Sequence, residues 1–419
     1  MRGILATFAL GALLACAPAT AAAQSAQGSA QRSLSRALGS GIRTAGRSSG
    51  AYVVDLSTGQ SLFSSAAGIG RLPASVEKLY TTSTALLRFG PSATLTTSIL
   101  SRGVLSHGTW NGTLYLRGGG DPTFGSQGFD QSHYGGGATI QRLAANLTRQ
   151  TGITALRGSI AGDESRFDSR RGTPATDYQP ADEMEGELSG LAYDKGFALV
   201  PGAEFDRHPA LTAAADLVNA LRDAGVKLSG GAHISAGITP ADARQLTDVN
   251  SPRMATLIQL TNTPSDNFFA EMLLKDIGAQ FGGAGTTASG AAVVRTQLAR
   301  SFGIHPRLDD GSGLSYQDLT TPLQVVTLLT HLADNPYFTN SLAVAGETGT
   351  LSNEMNGTIA QGRCRGKTGT LSDVSNLVGY CQARDGHTLA FAFLMNSIDP
   401  DLAHPIQDRM AIALANYDG

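Results

Sequence analysis

The sequence predicts an α/β fold, an antiparallel sheet flanked by helices, that carries a large and mostly β insertion. Three observations predict it. Strand-like segments stand near both ends of the chain, at Ala51–Leu56 and again at Asn376–Cys381 and Thr388–Met395. Apolar residues at helical spacing fill the stretch from Pro252 to Ala333. From about Thr94 to Ser251, short β-like pieces and glycine turns replace both patterns. The two ends of the chain then complete one sheet. Residues 24–94 and 252–419 form a discontinuous domain, and 95–251 an inserted accessory region read as two small subdomains.

The elements follow in order. Residues 24–48, rich in Ser, Gly, Ala and Gln, are a tail or a first helix. Ala51–Leu56 is a strand closed by the turn Ser57-Thr58-Gly59-Gln60. The segment containing Ser75 is a helix that ends near Gly90. In the insertion, Thr113–Leu116 is a strand before Gly118-Gly119-Gly120-Asp121-Pro122, where Gly-Asp-Pro is turn chemistry. Helices are expected near Thr139–Gln150 and Leu211–Asp223, the second closed by Gly225. Four more follow at Met254–Leu260, Asp266–Phe281, Gly290–Phe302 and Pro322–Ala333, then the two late strands and a terminal helix. "GETGTL" at 346–351 echoes "GKTGTL" at 366–371, but six residues are too short to support a duplication.

Length and composition narrow the function. The chain has 419 residues, 41% hydrophobic and 16% charged, which is globular rather than disordered. A formal charge of −3 with no clustered Lys/Arg run excludes a nucleic-acid partner. The N-terminus has the form of an export signal: Arg2, then the apolar run Ile4–Ala15, too short to span a membrane. Two endings compete. Ala21-Ala22-Ala23 before Gln24 is a well-formed small-residue cleavage site and is favoured, giving a signal peptide at 1–23. Leu13-Leu14-Ala15-Cys16 resembles a lipoprotein box that would anchor the protein through Cys16. Either way the protein is exported, with no transmembrane helix in the mature chain.

Cysteine usage agrees with export. Only Cys364 and Cys381 remain after cleavage at Ala23. If Arg363–Leu371 and Asn376–Ala383 form a hairpin about Ser372-Asp373, the two cysteines oppose each other at the separation a disulfide needs. Two buried free thiols are the other arrangement.

Three short motifs carry the chemistry. Ser75-Val76-Glu77-Lys78 is the only Ser-x-x-Lys in the chain. It places Ser75 and Lys78 one helical turn apart on a single face. Lysine is scarce here, with only Lys78, Lys195, Lys227, Lys275 and Lys367, and a buried lysine releases its proton where arginine does not. Ser265-Asp266-Asn267 opens a helix after Pro264, and Lys367-Thr368-Gly369-Thr370 lies on a strand. Taken singly, each has a plain structural explanation: a helix N-terminus for the first two and a strand bulge for the third. In this order they are the motif set of penicillin-binding proteins and class A β-lactamases. No Gly-x-Ser-x-Gly elbow, His-Glu-x-x-His zinc motif or phosphate loop is present, and none of the eight histidines falls in the three motifs.

The chain resembles the class C low-molecular-mass penicillin-binding proteins, the D-alanyl-D-alanine carboxypeptidases and endopeptidases of bacterial cell walls. The segments "RLPASVEKLYTTSTAL", "LYLRGGGDPTF", "NTPSDNFFAEMLLK", "LDDGSGLS" and "RGKTGTLSDVSNLVGY" carry the resemblance, in the family's order. It implies a penicillin-binding transpeptidase-like fold and an extracytoplasmic enzyme acting on peptidoglycan stem peptides, acylated by β-lactams, with no metal or organic cofactor. It also implies roles. Ser75 is the nucleophile and Lys78 its base. Ser265 relays a proton with help from Lys78, and Asn267 binds the substrate backbone. Lys367 and Thr368 hold the terminal carboxylate, Gly369 lets the substrate lie along the strand, and the N–H groups of Ser75 and Thr370 hold the oxyanion. In "GDESRFD", Asp163 meets the amino end of a diamino acid or, equally, caps a turn. Asp310-Gly311-Ser312-Gly313 is a turn near the site without a catalytic role. Two rival readings are a β-lactamase of the same fold, for which the chain lacks a Glu-x-x-Leu-Asn loop, and a non-catalytic wall-binding or penicillin-sensing protein.

Overall fold

The structure is a computed structural model that describes residues 17–197, 205–229 and 233–419, with side chains from residue 28 onward. Arg2, the apolar run Ile4–Ala15 and Cys16 lie outside the described residues. A helix at Ala17–Ala45 precedes the first strand, so the Ser/Gly-rich segment is helical. Among the described residues no helix is long and apolar enough to cross a membrane.

A six-stranded antiparallel sheet forms the centre. Its order is Ala343–Val344, Cys364–Leu371, Val374–Gln382, Thr388–Asn396, Ser49–Asp55 and Ser61–Ser65, so the two ends of the chain do complete one sheet. Alternation along Thr388–Asn396 builds both faces. Leu389, Phe391, Phe393 and Met395 enter one core, and Ala390, Ala392 and Leu394 the other. On the first face lie Leu34, Leu38 and Ile42 of the N-terminal helix, with Ile406, Met410 and Leu414 of the terminal helix Pro400–Ala415. These helices cross closely, since a Cβ at Gly41 would lie 2.5 Å from Met410 Sδ. The second face is covered by the helices Lys78–Phe89, Met254–Asn262, Asn267–Phe281, Thr287–Phe302 and Pro322–Leu332.

Residues 96–250 supply two further sheets. The five-stranded one runs His233–Ala236, Ser159–Asp163, Leu114–Arg117, Thr96–Ser101, Arg244–Asn250. The four-stranded one runs Val104–Ser106, Thr109–Asn111, Ala155–Arg157, Lys227–Leu228. Parallel pairs occur in both, and the helices Ile140–Thr151 and Pro209–Asp223 bury Leu143, Leu147, Leu217 and Leu221 in a common core with strand residues. Thr139 caps the first of these helices through Arg142 N–H.

The hairpin predicted around Ser372-Asp373 is present, with Leu371 opposite Val374 and Cys364 opposite Cys381. A disulfide joins Cys364 and Cys381.

Candidate active site

Ser75 sits in a single 3-10 turn, Ala74–Glu77, that runs directly into the helix beginning at Lys78. The turn is fixed from several sides. Asn376 donates from Nδ2 to the carbonyls of Leu72 (3.0 Å) and Pro73 (2.7 Å), and its Oδ1 accepts from Met395 N–H. Asn396 Oδ1 accepts Leu72 N–H at 2.8 Å. The guanidinium of buried Arg71 reaches the carbonyls of Ser48, Ser49, Ala66 and Ile69. Ala74 adopts a left-handed conformation, φ 47°, which a non-glycine residue holds only under such constraint. Ser75 itself stays partly exposed, whereas Lys78 is fully buried.

Lys78 Nζ makes three short contacts: Ser75 Oγ at 2.8 Å, Asn267 Oδ1 at 2.5 Å and the Ser312 carbonyl at 2.8 Å. The expected pairing of Ser75 with Lys78 is therefore present, and Asn267 is brought to the same nitrogen. Ser265 is another strained residue, φ 72°. Its Oγ accepts from Lys367 Nζ at 2.7 Å, so the link expected between Ser265 and Lys78 is replaced by one to the second lysine. The cause is local. Asp266 leaves the turn as the N-cap of the Asn267 helix, accepting Phe269 N–H, and pairs with Lys195 of the insertion. Asn267 then points Oδ1 at Lys78 and donates from Nδ2 to Glu183 O at 2.6 Å, so both ends of its amide are occupied.

The Lys367 strand lies against the Ser75 turn. A Cβ at Gly369 would stand 2.6 Å from Pro73 O and 3.2 Å from Ser75 N. Gly369 thus admits the backbone of the Ser75 turn, a physical reason beyond the one the resemblance implied. Thr368 Oγ1 donates to Thr350 Oγ1 at 2.9 Å, and Thr370 is exposed beside it. The "GETGTL" echo therefore folds beside "GKTGTL", with Thr350 N–H on Thr263 O next to Ser265.

Burial sets the electrostatics. Lys78 is brought down to about 8, mainly by burial, against the opposing pull of Asp310, Glu185, Glu271 and Asp266. Lys367 is pushed well below the ordinary lysine range by burial and then by the charge of Lys78. Beneath Lys78 lies a carboxyl group cluster that motif reading missed: Glu77, Glu271, Asp310 and Asp318, all buried. Glu271 Oε1 accepts the N–H groups of Gly311 (2.8 Å) and Ser312 (2.7 Å). Asp310 accepts those of Gly313 and Ser315. The Asp-Gly-Ser-Gly turn therefore does have a part in the site, because its Ser312 carbonyl rests on Lys78. A helical spacing of four, Asn267 to Glu271, was the one sequence signal for this group. Nothing in the sequence pointed to Asn376, Thr350, Lys195 or Glu185, whose carboxylate accepts Asn267 N–H at 3.0 Å.

Asp163 is not brought to this group. It is buried, and its two oxygens accept the N–H groups of Ser165 (2.9 Å) and Thr239 (2.7 Å), which together hold its carboxyl below the usual range against burial. That is the turn-capping arrangement. Asp121 likewise caps its turn through Thr123 N–H and Oγ1. Among the described residues no histidine bonds a motif residue and no acidic, His or Cys cluster has the form of a metal site.

Known proteins match this chain over most of its length. A D-alanyl-D-alanine carboxypeptidase of Actinomadura sp. (strain R39) is 30% identical over 89% of this chain and 82% of its own. Carboxypeptidase DacB of Mycolicibacterium smegmatis is 32% identical over 83% of this chain and 76% of its own. In fold, penicillin-binding protein 4 (dacB) of Haemophilus influenzae superposes with a TM-score of 0.75 at 19% identity, over 91% of this chain and 99% of that one. Residues 30–193 and 204–417 match the D-Ala-D-Ala carboxypeptidase 3 (S13) family. With most of the chain inside that match, this protein belongs to the S13 family of D-Ala-D-Ala carboxypeptidases.

Proposed function

We propose that Ser75 is the acylated nucleophile of an exported D-Ala-D-Ala carboxypeptidase that trims peptidoglycan stem peptides, and that Lys78 is its general base. The observation that carries this reading is the buried Lys78 Nζ, 2.8 Å from Ser75 Oγ. A neutral amine has two N–H groups and one lone pair. Asn267 Oδ1 and Ser312 O take the two N–H groups, which leaves the lone pair facing the Ser75 hydroxyl.

Ser75 Oγ attacks the carbonyl carbon of the penultimate D-alanine while its proton passes to Lys78 Nζ. The N–H groups of Ser75 and Thr370 receive the oxyanion. The peptide C–N bond breaks, and the leaving amine takes the proton that Lys78 gained, relayed through the hydroxyl of Ser265, which Lys367 holds in place. Lys367 and Thr368 bind the terminal carboxylate. Water then hydrolyses the ester and regenerates the serine. β-Lactams follow the same path to a slowly cleared adduct. Asp163 holds the insertion's turn, one N–H on each oxygen, and its remaining lone pairs can still meet the amino end of a diamino acid. The N-terminal segment directs export, and residues 95–251 act as the accessory region.

Intact-protein mass after penicillin treatment, with peptide mapping, tests this. The expected result is one drug per chain, on Ser75, lasting minutes. Clearance within seconds would instead establish a β-lactamase, and no adduct would overturn the serine–lysine mechanism.

A further inference from the structure

The carboxyl group cluster under Lys78 has no role in the steps above, yet its geometry is specific. It gathers Glu77 from the end of the Ser75 turn, Glu271 from the Asn267 helix, and Asp310 and Asp318 from the loop between the Thr287–Phe302 and Pro322–Leu332 helices. Four buried carboxyl groups face one buried ammonium, so they cannot all be ionised. Hydrogen bonding separates them. Glu271 and Asp310 each accept two backbone N–H groups. Asp318 accepts one, from Asp309, and shares a hydrogen bond with Asp310. Glu77 has no partner on either oxygen. Donors stabilise the ionised form, which places the negative charge on Glu271 and Asp310 and the protons on Glu77 and Asp318.

We propose, building on the serine–lysine reading, that Glu271 and Asp310 are positioning residues of the acylation step: they hold the Ser312 carbonyl on Lys78 and supply the buried negative charge that pairs with its ammonium form. Glu77 and Asp318 retain their protons and keep the cluster from being over-charged. Glu271 fixes the Gly311–Ser312 backbone from one side and Asp310 fixes Gly313 from the other. Gly313 is pressed so closely on the nucleophile turn that a Cβ there would lie 1.8 Å from Ala74 O. The loop, the turn and the lysine are therefore packed and hydrogen-bonded as one unit.

The other charged groups near Lys78 are Glu185 on the insertion, Asp266 at the cap of the Asn267 helix and Lys367 on the strand. Lys275 lies further along the Asn267 helix and is paired with Asp168. Burial alone would take Lys78 far down. Its anions bring it back to about 8, where one amine is able both to accept the serine proton and to return it.

The test is the acylation rate by a penicillin across pH, for wild type, Glu271→Gln, Asp310→Asn and Glu77→Gln. Glutamine at 271 keeps an oxygen for the Gly311 and Ser312 N–H groups and removes only the charge. Loss of either anion favours neutral Lys78, so the acid limb moves to lower pH by about one unit in Glu271→Gln and Asp310→Asn. Glu77→Gln leaves the limb in place. Variants that acylate more slowly at every pH with an unmoved limb would overturn the proposal. Should Glu271→Gln or Asp310→Asn not fold, infrared difference spectra of wild type against Glu77→Gln decide. A protonated-carboxyl band at neutral pH that Glu77→Gln removes supports the charge assignment, and one that it leaves unchanged overturns it. A wild type that penicillin never acylates would instead sink the functional reading, a failure distinct from an unmoved limb.

Discussion

At the scale of single residues, the proposed mechanism rests on Ser75 and Lys78. Ser75→Ala removes the attacking oxygen and leaves the buried surroundings intact, so acylation is expected to fall by about 10⁴-fold or more while the unfolding midpoint stays near wild type. Lys78→Arg is the sharper substitution. It keeps the charge but cannot surrender a proton, and acylation is expected to be lost as completely as with Ser75→Ala. The pH dependence has a defined sign. Below about 8 Lys78 carries a proton and cannot take one from Ser75. The acylation rate should therefore rise about tenfold per pH unit up to that region and then level off. Rapid-mixing measurements with a chromogenic β-lactam check it; a rate independent of pH between 6 and 9, roughly the window around this lysine, would contradict the base assignment.

Elements bring these residues together, and here two substitutions are informative. Gly369→Ala puts a methyl group 2.6 Å from Pro73 O, a backbone atom that cannot swing aside. The Ser75 turn must shift, with an expected destabilisation of about 1–3 kcal/mol and slower acylation, read by urea unfolding and penicillin mass labelling. The disulfide acts elsewhere. Cys364 and Cys381 point into the core beneath the N-terminal and terminal helices, and the alternation of the strand sends Lys367 to the opposite face. The double change Cys364→Ser with Cys381→Ser should lower stability by about 3 kcal/mol and leave acylation by penicillin unchanged in the folded protein. The hairpin and its bridge were legible because both strands, the turn and the cysteines lie within one short stretch. The three motifs were legible for the same reason, each being a run of three or four residues. Asn376 and Thr350 were not. Each is a polar residue whose importance comes only from the element that folds against it.

The whole molecule adds what no local pattern contains. Glu77, Glu271, Asp310 and Asp318 are scattered along the chain and meet only once the Ser75 turn, the Asn267 helix and a loop have packed. The insertion's sheets are similar in kind: Leu114–Arg117 pairs in parallel with Ser159–Asp163, a neighbour that strand periodicity does not predict. Buried acids elsewhere in the fold give the folded state a distinctive titration. Asp121 and Asp276 are raised to about 7, and Glu187 to about 8, in each case chiefly by burial. An unfolded chain releases these protons near pH 4, whereas the folded chain keeps them to about 7 or 8. Between those limits the folded state binds more protons, so stability falls as pH rises, by up to about 1.4 kcal/mol per pH unit for each retained proton. Lys78 and Lys367 act in the opposite sense. Their folded forms lose protons that the unfolded chain keeps to about 10.5, so Lys78 returns some stability above about pH 8 and Lys367 works in the same direction. Carboxyl groups held low, such as Asp163 and Glu164, lose their contribution only below about pH 4. Thermal unfolding should therefore peak in mildly acidic solution and decline toward pH 8. Asp276, which faces Gly120 and pairs with Arg166, joins the insertion to the Asn267 helix. Asp276→Asn should flatten that decline between about pH 4 and 7, at some cost in stability at its acidic end. A melting temperature that climbed steadily from pH 5 to 8, roughly the window of these buried acids, would mean that they are ionised in the folded protein.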